Sequence, residues 1–86
     1  MPELSRFFGI VISLNYNDHD PPHFHVRYVE QRAIVGITPL ALLRGELAPR
    51  VLAMVMEWAA KNQEMLRRNW LLARAQQPLL PIEPLE

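Results

Sequence analysis

Residues 6–29 read RFFGIVISLNYNDHDPPHFHVRYV, and the way this stretch alternates decides the fold. Phe8, Ile10, Ile12, Leu14 and Tyr16 fall on one side of a two-residue repeat, in a segment rich in β-branched and aromatic residues. That predicts a strand over about 6–16. A second alternation sets Phe24, Val26 and Tyr28 against His23, His25, Arg27 and Val29, predicting a strand over 23–29. If Asp18 to Pro22 close the two into a hairpin, Tyr16 lies opposite Phe24, Leu14 opposite Val26 and Ile12 opposite Tyr28. A one-residue slip would mix histidines into the apolar face, so the pattern selects this register. The other face then pairs Asn17 with His23, Asn15 with His25 and Ser13 with Arg27.

The same logic extends outward. Residues 33–38 predict a third strand after a turn at Glu30-Gln31-Arg32, with Gly36 near His25 and room left beside the imidazole. Pro39 ends it, and 41–44 is a candidate fourth strand. From Pro49 the period changes: Val51, Leu52, Val55, Trp58 and Ala59 share one helical side, predicting a largely buried helix over 49–61. A second helix over 63–76 carries Met65, Leu66, Trp70 and Ala73, with Asn62 as the cap at the break and Glu64 and Arg68 as an i,i+4 pair. The prolines of 77–86 forbid a helix, yet Leu79, Leu80, Ile82 and Leu85 are too apolar for a free tail. It is expected to dock on this domain or on a second subunit. The expected architecture is α+β: one domain, 1–86, with an antiparallel three- to four-stranded meander under two C-terminal helices. Phe8, Ile10, Ile12, Leu14, Phe24, Val26, Val35 and Ile37 form its expected core.

Bulk composition narrows the function. At 86 residues there is room for one modest core, since a second would need roughly 50 residues of its own. Nine basic residues balance nine acidic ones, so no global field gathers nucleic acid or anionic membrane. The absence of cysteine removes disulfides, thiolate metal sites and cysteine nucleophiles together. No apolar run approaches the roughly 18 residues of a membrane span, so a soluble, cytoplasmic protein is expected. A hydrophobic share of 50% in so short a chain favours a homo-oligomer or a small protein partner.

All three histidines lie within NDHDPPHFH, residues 17–25, and three readings of that stretch stay open. As a metal site, His23 and His25 leave one strand face together, and His19 or a loop aspartate completes a set of N and O ligands. As a metal-free acid–base site, His23 and His25 exchange protons while Arg27 holds an anion such as an RNA phosphate, with Ser13 or Tyr16 as candidate nucleophiles. As a structural element, Asp18 and Asp20 bond loop amides around rigid prolines. In an interaction role, the stripe of Asn15, His23, His25 and Arg27 would contact a partner or RNA, with Asn17, Asp18, His19 and Asp20 as further binding residues. The chemistry names no cofactor. Trp58, Trp70, Met54, Met56 and Met65 read as packing residues, and Arg67, Arg68 and Arg74 as a solvated helix face.

Several segments together carry a resemblance: PELSRFFGIVI at 2–12, NDHDPPHFHV at 17–26, GEL at 45–47, EW at 57–58, NWLLAR at 69–74 and IEPLE at 82–86. The chain resembles the small prokaryotic family called domain-of-unknown-function 4160. It departs from that family in Pro39 to Arg44, which is apolar where members often carry a charged turn segment. The resemblance implies no established activity. It does imply a neighbouring small protein of the domain-of-unknown-function family numbered 2442, in an arrangement like a toxin–antitoxin pair.

Overall fold

A computed structural model describes residues 2–86. Five antiparallel strands, β1 (Glu3–Phe7), β2 (Ile10–Ser13), β3 (His23–Tyr28), β4 (Gln31–Ile37) and β5 (Leu40–Gly45), form one sheet in sequence order. Helices α1 (Pro49–Lys61) and α2 (Gln63–Arg74) follow, so the α+β expectation holds.

The strand count is five rather than three or four, because the expected strand over 6–16 is two strands. Phe8 and Gly9 take left-handed backbone, with φ 51° and 80°, and fold the chain back so that Phe7 pairs with Ile10. Two residues at positive φ give the turn twist that matches flanking strands. Glycine supplies that conformation readily and phenylalanine does not. As a result Phe7 is 5% exposed and Phe8 is 62% exposed, so Phe8 is not in the core. Asn15 and Tyr16 lie beyond β2, in the connection to β3. The candidate strand at 41–44 is the centre of β5.

Register differs from expectation by two residues in both central pairings. Ile12 lies opposite Val26 and Ser13 opposite His25, because the connection uses residues 14–22 instead of a tight loop at 18–22. Across β3 and β4, Phe24 pairs with Val35 and His23 with Gly36, because the turn is the two residues Val29 and Glu30. A two-residue step returns every side chain to its own face, so the predicted faces survive while the partners change. Gly36 consequently sits opposite His23, not His25, and the space above it is filled: an added Cβ would meet the Pro39 carbonyl at 3.1 Å and Leu43 at 3.3 Å.

The inner face of the sheet packs on the helices. Ile10, Ile12, Leu14, Phe24, Val35 and Ile37 are fully buried with Val55, Trp58 and Leu66. Phe7 and Phe24 flank Trp58 with ring centroids 5.6 and 5.9 Å away. Each such side chain stabilises by roughly 1.5–3 kcal/mol on burial. Asn62 stands at the cap position between the helices, as expected, but its side chain serves α1, with Nδ2 donating to the Trp58 carbonyl at 2.8 Å, and makes no cap bond to α2. Glu64 pairs with Arg67 at 3.1 Å, one position earlier than the expected Arg68.

Residues 77–86 run across both helices. The Trp58 indole donates to the Glu83 carbonyl at 2.8 Å, and the Ile82 amide donates to the Leu4 carbonyl at 2.9 Å. Asn69, 0% exposed, both accepts from the Leu80 amide at 2.7 Å and donates to the Leu80 carbonyl at 3.0 Å. It satisfies both backbone groups of one residue. No helix among the described residues is long and apolar enough to cross a membrane.

Candidate functional site

The connection 14–22 brings Asp18 back over the start of β3, where alternation has already aimed His23 and His25 the same way. Asp18 Oδ2 lies 3.0 Å from Nε2 of His23 and 2.7 Å from Nε2 of His25. The loop is held from outside by Arg74 of α2, 3.2 Å from Asp20, and the Asp20-Pro21 peptide within it is cis. Behind the pair, the His23 ring rests on Trp70 and edge-on to His25, each at a centroid distance of 5.2 Å.

Proton accounting makes this cluster unusual. His23 Nδ1 lies 2.8 Å from the Pro21 carbonyl, which can only accept, so Nδ1–H is the donor. A neutral His23 then presents a bare Nε2 to a carboxylate oxygen, lone pair to lone pair. His25 Nε2 meets the same oxygen and also the Asn15 amide nitrogen at 3.3 Å, a donor that asks this nitrogen to accept. Something positive is required between the three groups, either added protons or a cation. Burial alone would raise the Asp18 carboxyl, but the hydrogen bond and charge of His25, with the charge of His23, hold it below its usual range.

The ligand atoms of Asp18, His23 and His25 all lie within 4.8 Å of one another. Metal bonds to N and O of about 2.0–2.2 Å fit a shell of that size with little movement. The side chains are 23%, 11% and 20% exposed, so a ligand can reach them.

The other anticipated residues divide. Asn15 joins the cluster; Asn17 and His19 are exposed, and no hydrogen bond or ion pair ties either to it. Asp20 is used by Arg74, and the Tyr16 hydroxyl donates to the Gln77 carbonyl at 3.0 Å. Arg27 lies on the same face as His25 but further along β3, where both line a groove that also takes in Ser13. Sequence reading missed Trp70 as the surface under His23, and it missed Arg32 and Arg44 beside Arg27. The alternation of β4 was the available signal for Arg32.

A model of the family described as "Domain of unknown function (DUF4160)" matches residues 9–71, well over half of the chain. This chain is a member of the DUF4160 family. No curated protein and no solved structure matches it. The part of this DUF4160 chain that matches contains Asp18, His23, His25 and Trp70; Arg74 and the docked segment 77–86 lie beyond it.

Proposed function

We propose that the chain binds a first-row divalent ion, zinc or iron(II), through Asp18, His23 and His25. The observation that carries this reading is the single Asp18 oxygen facing Nε2 of both imidazoles while Nδ1–H of His23 is committed to the Pro21 carbonyl. A backbone carbonyl on the far nitrogen is the usual way a protein fixes the tautomer and orientation of a metal-binding histidine. Three protein ligands leave coordination positions open, the pattern of ions that act on bound water or substrate rather than only hold a fold. The acid–base alternative is less well supported, because both Nε2 atoms face inward on Asp18 and Nδ1 of His23 is held by the Pro21 carbonyl, so an acid–base pair would have Nδ1 of His25 alone to offer a substrate.

Elemental analysis and zinc titration test the proposal. Wild-type protein is expected to take up roughly one equivalent, which Asp18→Asn and His25→Ala abolish and His19→Ala leaves intact. Equal uptake by a His23→Ala/His25→Ala double variant, or none by the wild type, would sink it.

A second reading, as one partner of a toxin–antitoxin-like pair, is favoured by a separate observation. Phe8 and Val29, 62% and 77% exposed, stand in adjacent turns at the end of the sheet away from the histidines. Co-expression with the neighbouring small protein should give a complex that Phe8→Ser and Val29→Thr weaken. A complex untouched by both changes would remove the reading.

A further inference from the structure

The outer face of the sheet carries a second feature next to the Asp18 cluster. A groove of about 530 Å³ lies there, lined by Val11, Ile34, Arg27, Arg32 and Arg44 and also by His25, which it shares with the Asp18 cluster. That is within the usual range of about 300–1,000 Å³ for small-ligand sites.

Its charge arrangement is costly in isolation. Arg27 and Arg32 are direct cross-strand partners, and Arg44 pairs with Ile34, one diagonal step from Arg32. Like charges directly opposite one another weaken a strand pair. None of the three arginines forms an ion pair among the described residues. The one acid lining the groove, Glu3, is already held by Arg6 at 2.8 Å. Arg27 is balanced in part by the charge of Glu3, whose carboxyl Arg6 chiefly and Arg27 secondarily hold below its usual range, but three guanidinium groups face one acid that Arg6 already holds. With apolar surface from Val11 at one side and Ile34 beside Arg44, they are complementary to an anion of multiple charge on an organic body. Guanidinium forks match the oxygens of phosphate in bidentate fashion, and a phosphate monoester carries more charge per group than a carboxylate.

We propose that this groove binds an organic phosphate, with Arg27, Arg32 and Arg44 on the phosphoryl oxygens and Val11 and Ile34 against the organic part. The groove does this without help from the metal centre, so the inference does not rest on that reading. Val11, opposite Arg27 on β2, sets one wall, and Arg44 on β5 sets the other.

The test uses the full chain after dialysis against chelator, so that failure of the metal proposal leaves it unaffected. Adenosine monophosphate, adenosine, a fluorescent oligouridylate and an oligoglutamate peptide are titrated at low salt against wild type, Arg32→Gln, Arg44→Gln and, as control, Arg68→Gln on α2. Saturable binding of adenosine monophosphate or oligouridylate is expected, with the tighter of the two telling a free nucleotide from a nucleic-acid backbone. Arg32→Gln and Arg44→Gln should each weaken it by roughly tenfold or more, as loss of a charge-assisted contact does, and Arg68→Gln should not. Arg32→Gln should also melt no lower than wild type, because it relieves a like-charge pair. Adenosine or oligoglutamate binding as well as the phosphate probes, unchanged affinity in the groove variants, a clear fall in melting temperature of Arg32→Gln, or no binding of either phosphate probe would overturn the proposal.

Discussion

The two faces of one sheet obey different rules. On the inner face β3 presents Phe24 and Val26, each paired with an apolar neighbour on β4 and covered by helix; on the outer face the same strand presents His23, His25 and Arg27. There Arg27 faces Arg32, and two histidines share one carboxylate oxygen. Apart from the buried Ser5 hydroxyl on β1, the local choices on the inner face agree with the fold. The outer face contradicts local preference at two places, and conflicts of that kind concentrate where a protein meets a ligand.

Substitutions can sharpen or break this contrast, beginning with the largest effect. Phe24→Ala should cost about 3–5 kcal/mol, since it opens a cavity against Trp58, and chemical denaturation would read it. A loss near that of an exposed residue would mean the inner face is loosely packed. On the outer face, zinc at a hundredfold excess over its dissociation constant should raise stability by about 2.7 kcal/mol, and the gain should vanish in His23→Ala/His25→Ala. Thermal melts with and without zinc decide it.

Asn69→Ala should cost about 1–3 kcal/mol by leaving the Leu80 amide and carbonyl without partners. Faster hydrogen exchange at the Leu80 amide would accompany it, and an unchanged exchange rate would refute the pairing. The smallest effect concerns a flaw of the inner face: the Ser5 hydroxyl is buried with no hydrogen-bond partner. Ser5→Ala should therefore be stabilising by about 1 kcal/mol, and a measured loss would show that the hydroxyl has a role.

Much of this was legible in the sequence, for definable reasons. The two-residue period separated Ile10, Ile12, Leu14, Phe24 and Val26 from His23, His25 and Arg27, and the helical period marked Val51, Val55, Trp58, Leu66 and Trp70. Period alone does not number the rungs, so register came out two residues away in both central pairings. The Phe8-Gly9 turn was hidden because phenylalanine rarely takes left-handed backbone, although Gly9 was a signal. Asn69 was overlooked as a polar residue, yet it stands on the helix side of Leu66, Trp70 and Ala73, where only a bonded amide is tolerated. In the candidate site, the shared direction of His23 and His25 was readable. That Asp18 would serve both, while Asp20 turned to Arg74, depended on the path of an irregular loop. Arg32 joined Arg27 through the β3–β4 register, and Arg44 joined them through the β4–β5 register, which the irregularity between Ile34 and Val35 shifts.

The bonds of Asn69 and Trp58 bear on the order in which the chain assembles. Every strand pairs with its neighbour in sequence, so the meander needs only short loop closures and can form early. Leu80 closes onto Asn69 within 11 residues, whereas Glu83 reaches back 25 residues to Trp58 and Ile82 reaches Leu4 on β1. The sheet closes on its own strands, whereas a buried amide and an indole on the helices find their partners only in the C-terminal segment. Until that segment docks, both helices carry unmet polar groups on their inner side.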